Sequence, residues 1–246
     1  MDISKAKLSR YSLLRHKKYR EKEGLFIVQG KKAVEDTVGK FETEAILCLD
    51  MGKNSVPEGA SNIYLIPETV MKKVSTLEKI PEIAAIYKIP KTAIDLKAHP
   101  TAFTLVLDGV QDPGNLGTII RTAHWFGIKN IFCSHDTVDI YNPKVVMATM
   151  GSIAAVKTVY CSLKELFENN QEIPVYGLLL EGDDIFKCGN IPPGFIVMGS
   201  EGHGPSAETV KYITRGLTIP PANPQDSPDS LNVAIATAIT LGQLIR

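Results

Sequence analysis

Three stretches rich in glycine, proline and amide side chains hold most of the residues that could bind or act on a polar ligand. They are Asp108-Gly-Val-Gln-Asp-Pro-Gly-Asn-Leu-Gly-Thr-Ile-Ile-Arg121, Gly199-Ser-Glu-Gly-His-Gly204 and Ile219-Pro-Pro-Ala-Asn-Pro-Gln-Asp-Ser-Pro-Asp-Ser-Leu-Asn232. In the first, Asn115, Thr118 and Arg121 fall at i, i+3 and i+6, on roughly one face of a helix start. A guanidinium beside the free N–H groups of a helix N-terminus suits an anion such as a backbone phosphate; the same residues also suit an N-cap with a surface arginine. The second stretch lacks GxGxxG spacing, and Glu201 inside the turn would oppose a pyrophosphate, which argues against a dinucleotide site. Its glycines let backbone groups approach a ligand closely, or simply make a tight turn. In the third, Ser230 and Asn232 open a helix of small residues, where they can cap it or face a ligand. No Ser-His-Asp order and no paired catalytic carboxylates stand out elsewhere. The five histidines and four widely spaced cysteines show no metal-ligand spacing, so no metal is expected.

These stretches need a scaffold, and the apolar pattern supplies one. Long apolar runs at Phe103–Leu107, Asn130–Ser134, Val175–Leu180, Phe195–Gly199 and Leu217–Ile219 read as buried parallel strands. Helical patterns lie between them at Leu116–Phe126, Pro143–Met150, Leu163–Asn169 and Ala207–Ile213, and Leu231–Ile245 closes the chain. In open parallel sheets ligands bind beyond the carboxyl ends of the strands, where all three stretches fall. The first third reads as a smaller α/β domain. A charged helix over 9–22 is followed by strands at Leu25–Gln29, Ala45–Leu49, Ile63–Ile66 and Ile83–Ile89, with helices at Lys31–Val38 and Glu68–Val74. Residues 90–101, with two prolines and mixed polarity, read as a linker between domains at 1–92 and 102–246.

With 44% hydrophobic and 22% charged residues, the 246-residue chain has apolar material for two cores. No run approaches the length of a membrane span, and the Lys/Arg-rich start lacks the apolar segment of a secretory signal. Four unpaired cysteines fit a reducing compartment, so a cytoplasmic protein is expected. A net charge of zero hides an asymmetry: residues 1–40 hold eleven Lys/Arg against five Asp/Glu, and the remainder sixteen against twenty-two. A basic arm on an acidic body suits a polyanion at one end, although a solvated amphipathic helix has the same composition.

Taken together and in order, the three stretches resemble the signature motifs of the SpoU/TrmH-type RNA ribose methyltransferases of the SPOUT superfamily. The first resembles D-x-x-x-D-P-x-N-x-G-x-x-x-R-T-A, with Asn115, Gly117 and Arg121 aligned. The second is similar to G-x-E-x-x-G, through Gly199, Glu201 and Gly204, and the third to I-P…S-L-N-V, through Ile219, Pro220, Ser230, Leu231, Asn232 and Val233. Pro221 stands where the family usually has Met, and Pro221–Asp229 is longer than usual. The run Lys18-Tyr-Arg-Glu-Lys-Glu-Gly-Leu-Phe-Ile-Val-Gln-Gly30 resembles the family's L30e-like substrate-binding domain.

The resemblance implies an α/β chain: a C-terminal SPOUT methyltransferase domain with a trefoil knot, and a smaller N-terminal L30e-like α/β domain that binds RNA. It implies S-adenosylmethionine as cofactor and a homodimer. By carry-over, Gly199, Glu201, Gly202, Ile219 and Leu231 would hold the cofactor, and Asn115, Arg121, Glu201, Ser230 and Asn232 would form the catalytic, ribose-facing group. The expected reaction is methylation of a ribose 2′-hydroxyl, in rRNA rather than tRNA because of the separate substrate domain. A catalytically silent RNA-binding relative is the alternative from another class. The residue types fit this chemistry: the hydroxyl must lose a proton far below its pKa, which calls for a base or a cation nearby, and Arg121 would serve either as the cation with an adjacent phosphate or, with a strongly perturbed guanidinium, as the proton acceptor itself.

Overall fold

The computed structural model describes residues 3–49, 56–91, 95–97 and 101–245. The chain divides into two compact units, Met1–Thr92 with Asp139–Ala154, and Ala93–Val138 with Ala155–Arg246. The expected linker over 90–101 lies largely outside the described residues.

The first unit opens with two short helices where the charge pattern predicts one. Helix α1 (Lys5–Ser12) starts at Ser4, whose side chain accepts from the Lys7 N–H; a single 3₁₀ turn follows, His16 is extended, and α2 (Lys17–Glu23) stops at Gly24 with φ of +63°. The break comes from a side chain that the chain's later folding buries. The buried Arg20 guanidinium donates from Nη1 to the Leu14 carbonyl at 2.8 Å, taking an acceptor that a continuous helix would use. Tyr11 and Leu14 instead turn into a core with Leu25, Ile27, Met71 and Ile86. Strands β1 (Leu25–Gln29), β2 (Thr43–Cys48), β3 (Ile63–Leu65) and β4 (Ile83–Lys88) form one sheet in the order β1-β4-β2-β3. β4 is antiparallel to both β1 and β2, while β2 and β3 run parallel. Helices α3 (Lys31–Thr37) and α4 (Glu68–Val74) complete it, within one residue of the sequence expectation.

The second unit is built on a wholly parallel six-stranded sheet in the order β10-β8-β9-β5-β6-β7. Along the chain its elements are β5 (Thr104–Asp108), α5 (Pro113–Trp125) and β6 (Asn130–Cys133), and then, after an excursion, β7 (Lys157–Tyr160), α7 (Leu163–Glu168), β8 (Val175–Asp184), β9 (Phe195–Gly199), α8 (Ala207–Val210), β10 (Arg215–Thr218) and α9 (Val233–Leu244). The excursion carries α6 (Pro143–Ala148), which packs on β1, so residues 139–154 belong to the first unit. The central strands β5 and β9 are buried along their whole length, as continuous apolar runs require. Phe132, Phe167, Phe195, Val106 and Val197 meet in a core on one face, each worth roughly 1.5–3 kcal/mol on burial.

Two departures from the sequence reading have simple origins. β7 is not apparent in the sequence because it is four residues long and sends only Val159 fully into the core. β8 is ten residues long rather than six. Residues 178–182 arch out between two pairings with β10, Gly177 with Gly216 and Asp183 with Leu217. A Cβ at Gly182 would lie 2.8 Å from the Gly216 backbone, so the arch returns only through glycine.

Arg20 is 2% exposed and also donates from Nε and Nη2 to Asp139 Oδ2, at 3.0 and 2.6 Å. Asp139→Ala would strand a buried guanidinium, and we expect a loss of about 3 kcal/mol in urea unfolding. A change below about 0.5 kcal/mol would mean that water hydrates Arg20 in the folded chain.

Candidate active site

Asp108 and Gly199, in register as the last residues of β5 and β9, mark the edge of the sheet where the candidate loops leave. In the first loop the side chain of Asp112, not that of Asn115 or Thr118, caps α5: Asp112 Oδ1 accepts from the Asn115 N–H at 2.8 Å, and Pro113 takes the first helical position. Thr118 bonds back to the Gly114 carbonyl within its own helix and takes no part in the site.

With the cap assigned to Asp112, the Asn115 amide is free to bridge. Its Nδ2 donates to Glu201 Oε1, and its Oδ1 accepts from Asn232 Nδ2 at 2.9 Å. One amide therefore joins all three loops. Asn232 serves two purposes, since its Oδ1 also caps α9 by accepting from the Ala234 and Ile235 N–H groups. The capping and ligand-facing readings of this residue are compatible, because they use different atoms.

Glu201 stands exposed on a turn closed by a two-way backbone bridge, Ser200 N to Gly204 O at 3.0 Å and Gly204 N to Ser200 O at 2.9 Å. The closure needs glycine at Gly199, where a Cβ would lie 2.0 Å from Gly204 C and Pro205 N. Gly204 has φ of +67°. Gly202 faces open space.

Arg121 and Ser230 are exposed, and the side chain of neither makes a hydrogen bond or ion pair among the described residues. The structure brings Asn115, Glu201 and Asn232 together and leaves these two unengaged. Ile219 is half-buried, Leu231 is 47% exposed, and their backbone N–H groups have no hydrogen-bond partner among the described residues. Two supporting residues escaped the sequence reading. Asp108, buried, accepts at Oδ2 from the Ser206 N–H at 2.7 Å, and Ser134 Oγ accepts from the Gly109 N–H at 2.9 Å. Asp108 opens the first motif, but its partner, like that of Ser134, lies far along the chain, and no local pattern marks either contact.

A parallel sheet with three cross-linked loops at its carboxyl edge defines an α/β protein whose candidate residues meet at one place. The chain belongs to the SpoU rRNA Methylase family, whose model matches residues 102–242, and residues 5–85 match the MRM3-like substrate binding domain. It is 28% identical over 247 residues to the 23S rRNA (guanosine(2553)-2′-O)-methyltransferase RlmP of Bacillus subtilis, covering 97% of this chain and 95% of that one. Its structure matches a TrmH-family protein of Porphyromonas gingivalis with a TM-score of 0.86 at 35% identity, over 99% and 98% of the two chains. It also matches the AdoMet-bound rRNA methyltransferase of Sinorhizobium meliloti, with a TM-score of 0.83 at 25% identity, over 99% and 95%.

Proposed function

We propose that this chain transfers the methyl group of S-adenosylmethionine to a ribose 2′-hydroxyl of rRNA. The observation that carries the reading is the amide bridge of Asn115, which draws Glu201 and Asn232 together on the helix that six residues later carries the exposed Arg121. Family membership and the rRNA-modifying RlmP support it.

The residues present suit the cofactor. A purine needs an apolar flank and backbone hydrogen-bonding groups at its edge, and the third loop offers exposed Leu231 with uncommitted N–H groups at Ile219 and Leu231. Gly199, Glu201 and Gly202 would hold it from the second loop, on a turn whose Gly202 faces open space. When bound, S-adenosylmethionine supplies an electrophilic methyl group on a sulfonium.

The chain's own part is to place the ribose and stabilise charge. Arg121 binds the phosphate next to the target ribose and lowers the cost of the negative charge that develops on the 2′-oxygen as its proton leaves. Asn115 and Asn232 hold each other so that their remaining donor and acceptor capacity faces the ribose, Ser230 contributes a hydroxyl from the same loop, and Glu201 anchors Asn115. Orientation of this kind accounts for a large part of the rate in a bimolecular displacement.

We assign RNA binding to residues 1–92 and chemistry to 102–246, and rRNA over tRNA because of the separate substrate domain. Within the basic arm, Lys7, Arg10, Lys17, Arg20 and Lys32 are already paired with Glu44, Glu23, Glu21, Asp139 and Asp36. Lys5, Lys18, Lys22, Lys31 and Lys40 are exposed and unpaired among the described residues. Lys18 and Lys22 share a face of α2, so the double change Lys18→Gln/Lys22→Gln should weaken binding to an rRNA fragment and flatten its salt dependence by about two ions. Lys17→Gln/Lys32→Gln should do less; equal losses would mean that the internal pairs do not matter to RNA.

The protein is proposed to act as a homodimer through the catalytic unit. Trp125 on α5 is 86% exposed and Ile235 on α9 is 52% exposed, on two helices that pack together. Two exposed apolar side chains, one of them a tryptophan, on a packed helix pair suit a partner surface. Light scattering should give a dimer for the wild type and a monomer for Trp125→Glu; a monomeric wild type at micromolar concentration contradicts the assignment. The family's trefoil knot is proposed for the segment beyond β10, which leaves the sheet edge and returns to pack α9 on β9 and α5. An experimental structure with that segment unthreaded would remove it. The cytoplasm, where rRNA is made in bacteria and thiols stay reduced, suits four free cysteines, two of which, Cys48 and Cys161, are pushed by burial up to about 11.

A further inference from the structure

We propose that Asp108 is the positioning residue of the Glu201 turn, holding its exit with a side-chain oxygen while the backbone of the same residue registers its entry. The inference rests on the proposed function only for its link to methyl transfer; the geometry stands without it. Asp108 ends β5 and pairs in register with Gly199, the residue from which the turn departs. Its carboxylate is buried, with the residue 6% exposed, and has no ion-pair partner among the described residues. A buried carboxylate without a counter-charge is costly unless hydrogen bonds compensate it. The bond present is a 2.7 Å one from the N–H of Ser206, the residue that follows Pro205 out of the turn.

The consequences run through the turn to Glu201. Between Gly199 and Ser206 the chain reverses on itself, closed by the two Ser200–Gly204 bonds and carrying a left-handed Gly204. That unit has no apolar side chain at its tip, and Glu201, Gly202 and His203 are exposed. Asp108 ties down its far end. Seven residues further along the same loop, Asn115 receives Glu201. The base of this support is fixed from the other side, where Gly109, with φ of +75°, donates its N–H to Ser134 Oγ at 2.9 Å. Cutting the Asp108 bond unties the turn's exit from β5 and leaves it held there by the α8 cap, where Ser206 Oγ accepts from the Thr209 N–H, so Glu201 meets Asn115 in a less fixed geometry.

The role requires an acceptor of the right reach rather than a negative charge. Asp108→Asn keeps a carbonyl oxygen at that reach, and Asp108→Ala removes it. Asp108→Ser keeps a polar filler but is too short to meet Ser206, so it serves if the alanine protein does not fold.

The test uses the full chain in three measurements: hydrogen exchange of the 199–206 amides without ligand, calorimetric titration of S-adenosylmethionine, and steady-state methyl transfer. In the alanine or serine variant, exchange across 200–206 should rise, cofactor affinity should fall about tenfold, and kcat should fall while KM for RNA stays unchanged. The asparagine variant should remain within about threefold of wild type on every readout. Wild-type exchange in the alanine and serine variants overturns the proposal, and so does an asparagine variant as damaged as alanine, since charge rather than reach would then matter. A wild-type protein that neither binds the cofactor nor methylates RNA defeats the functional reading instead, while the exchange measurement still decides the role of Asp108.

Discussion

Arg121→Ala is expected to lower methyl transfer by at least about a hundredfold, the cost of removing a charge-stabilising donor from a reacting centre. The fold should survive, because the Arg121 side chain is exposed and makes no hydrogen bond or ion pair among the described residues, so nothing inside the chain loses a partner. Affinity for S-adenosylmethionine should also survive, because the walls assigned to the cofactor come from the second and third loops. Arg121→Lys keeps the charge but loses the planar fork, and should stay severely impaired if the contact to phosphate is bidentate. Asn115→Ala should reduce turnover less than Arg121→Ala, since Asn115 orients without carrying charge, but it should also loosen the Glu201 turn to which it is bonded. Tritiated methyl incorporation, paired with calorimetry, separates these outcomes. An Arg121→Ala protein that methylates at the wild-type rate removes Arg121 from the mechanism.

Gly199→Ala is expected to be the most damaging single methyl group that can be added to the site. The new carbon would sit 2.0 Å from two backbone atoms of Gly204 and Pro205, and backbone in a closed turn cannot move aside as a side-chain tip can. The Ser200–Gly204 bridge must open, displacing Glu201 from Asn115, and cofactor binding should become undetectable by calorimetry. Gly202→Ala is the control, because its added carbon meets nothing within 4 Å and should leave thermal stability unchanged, whatever it does to ligand affinity. If Gly199→Ala binds the cofactor normally, the second loop is not the cofactor's wall.

The two domains' elements and the three loops were legible because each has a strong local signal. Buried parallel strands such as β5 and β9 are continuous apolar runs, and the loops concentrate glycine and proline at strand ends. What escaped depends on distant partners. The break at His16 comes from Arg20 reaching back to Leu14, and the long β8 from an arch accommodated by Gly182 against β10. The cap of α5 was misplaced for a subtler reason. Asp112 and Asn115 are both good cap residues three positions apart, and only the observed bond from the Asn115 N–H decides between them. That decision frees Asn115 to join the other loops. Asp108 and Ser206 are 98 residues apart, beyond the reach of any pattern. Residues 139–154 read as part of the catalytic half because they lie between two of its strands, yet they pack with the first unit through α6 and the Asp139–Arg20 pair.

The central claim is that this site methylates ribose, and one measurement addresses it directly. Purified protein is incubated with tritiated S-adenosylmethionine and rRNA from a strain lacking the gene, and the product is digested and mapped for 2′-O-methyl nucleotides. Label is expected at a single 2′-oxygen of rRNA, absent with Arg121→Ala. Label on a base, or no label from a protein that binds the cofactor, would contradict ribose methylation.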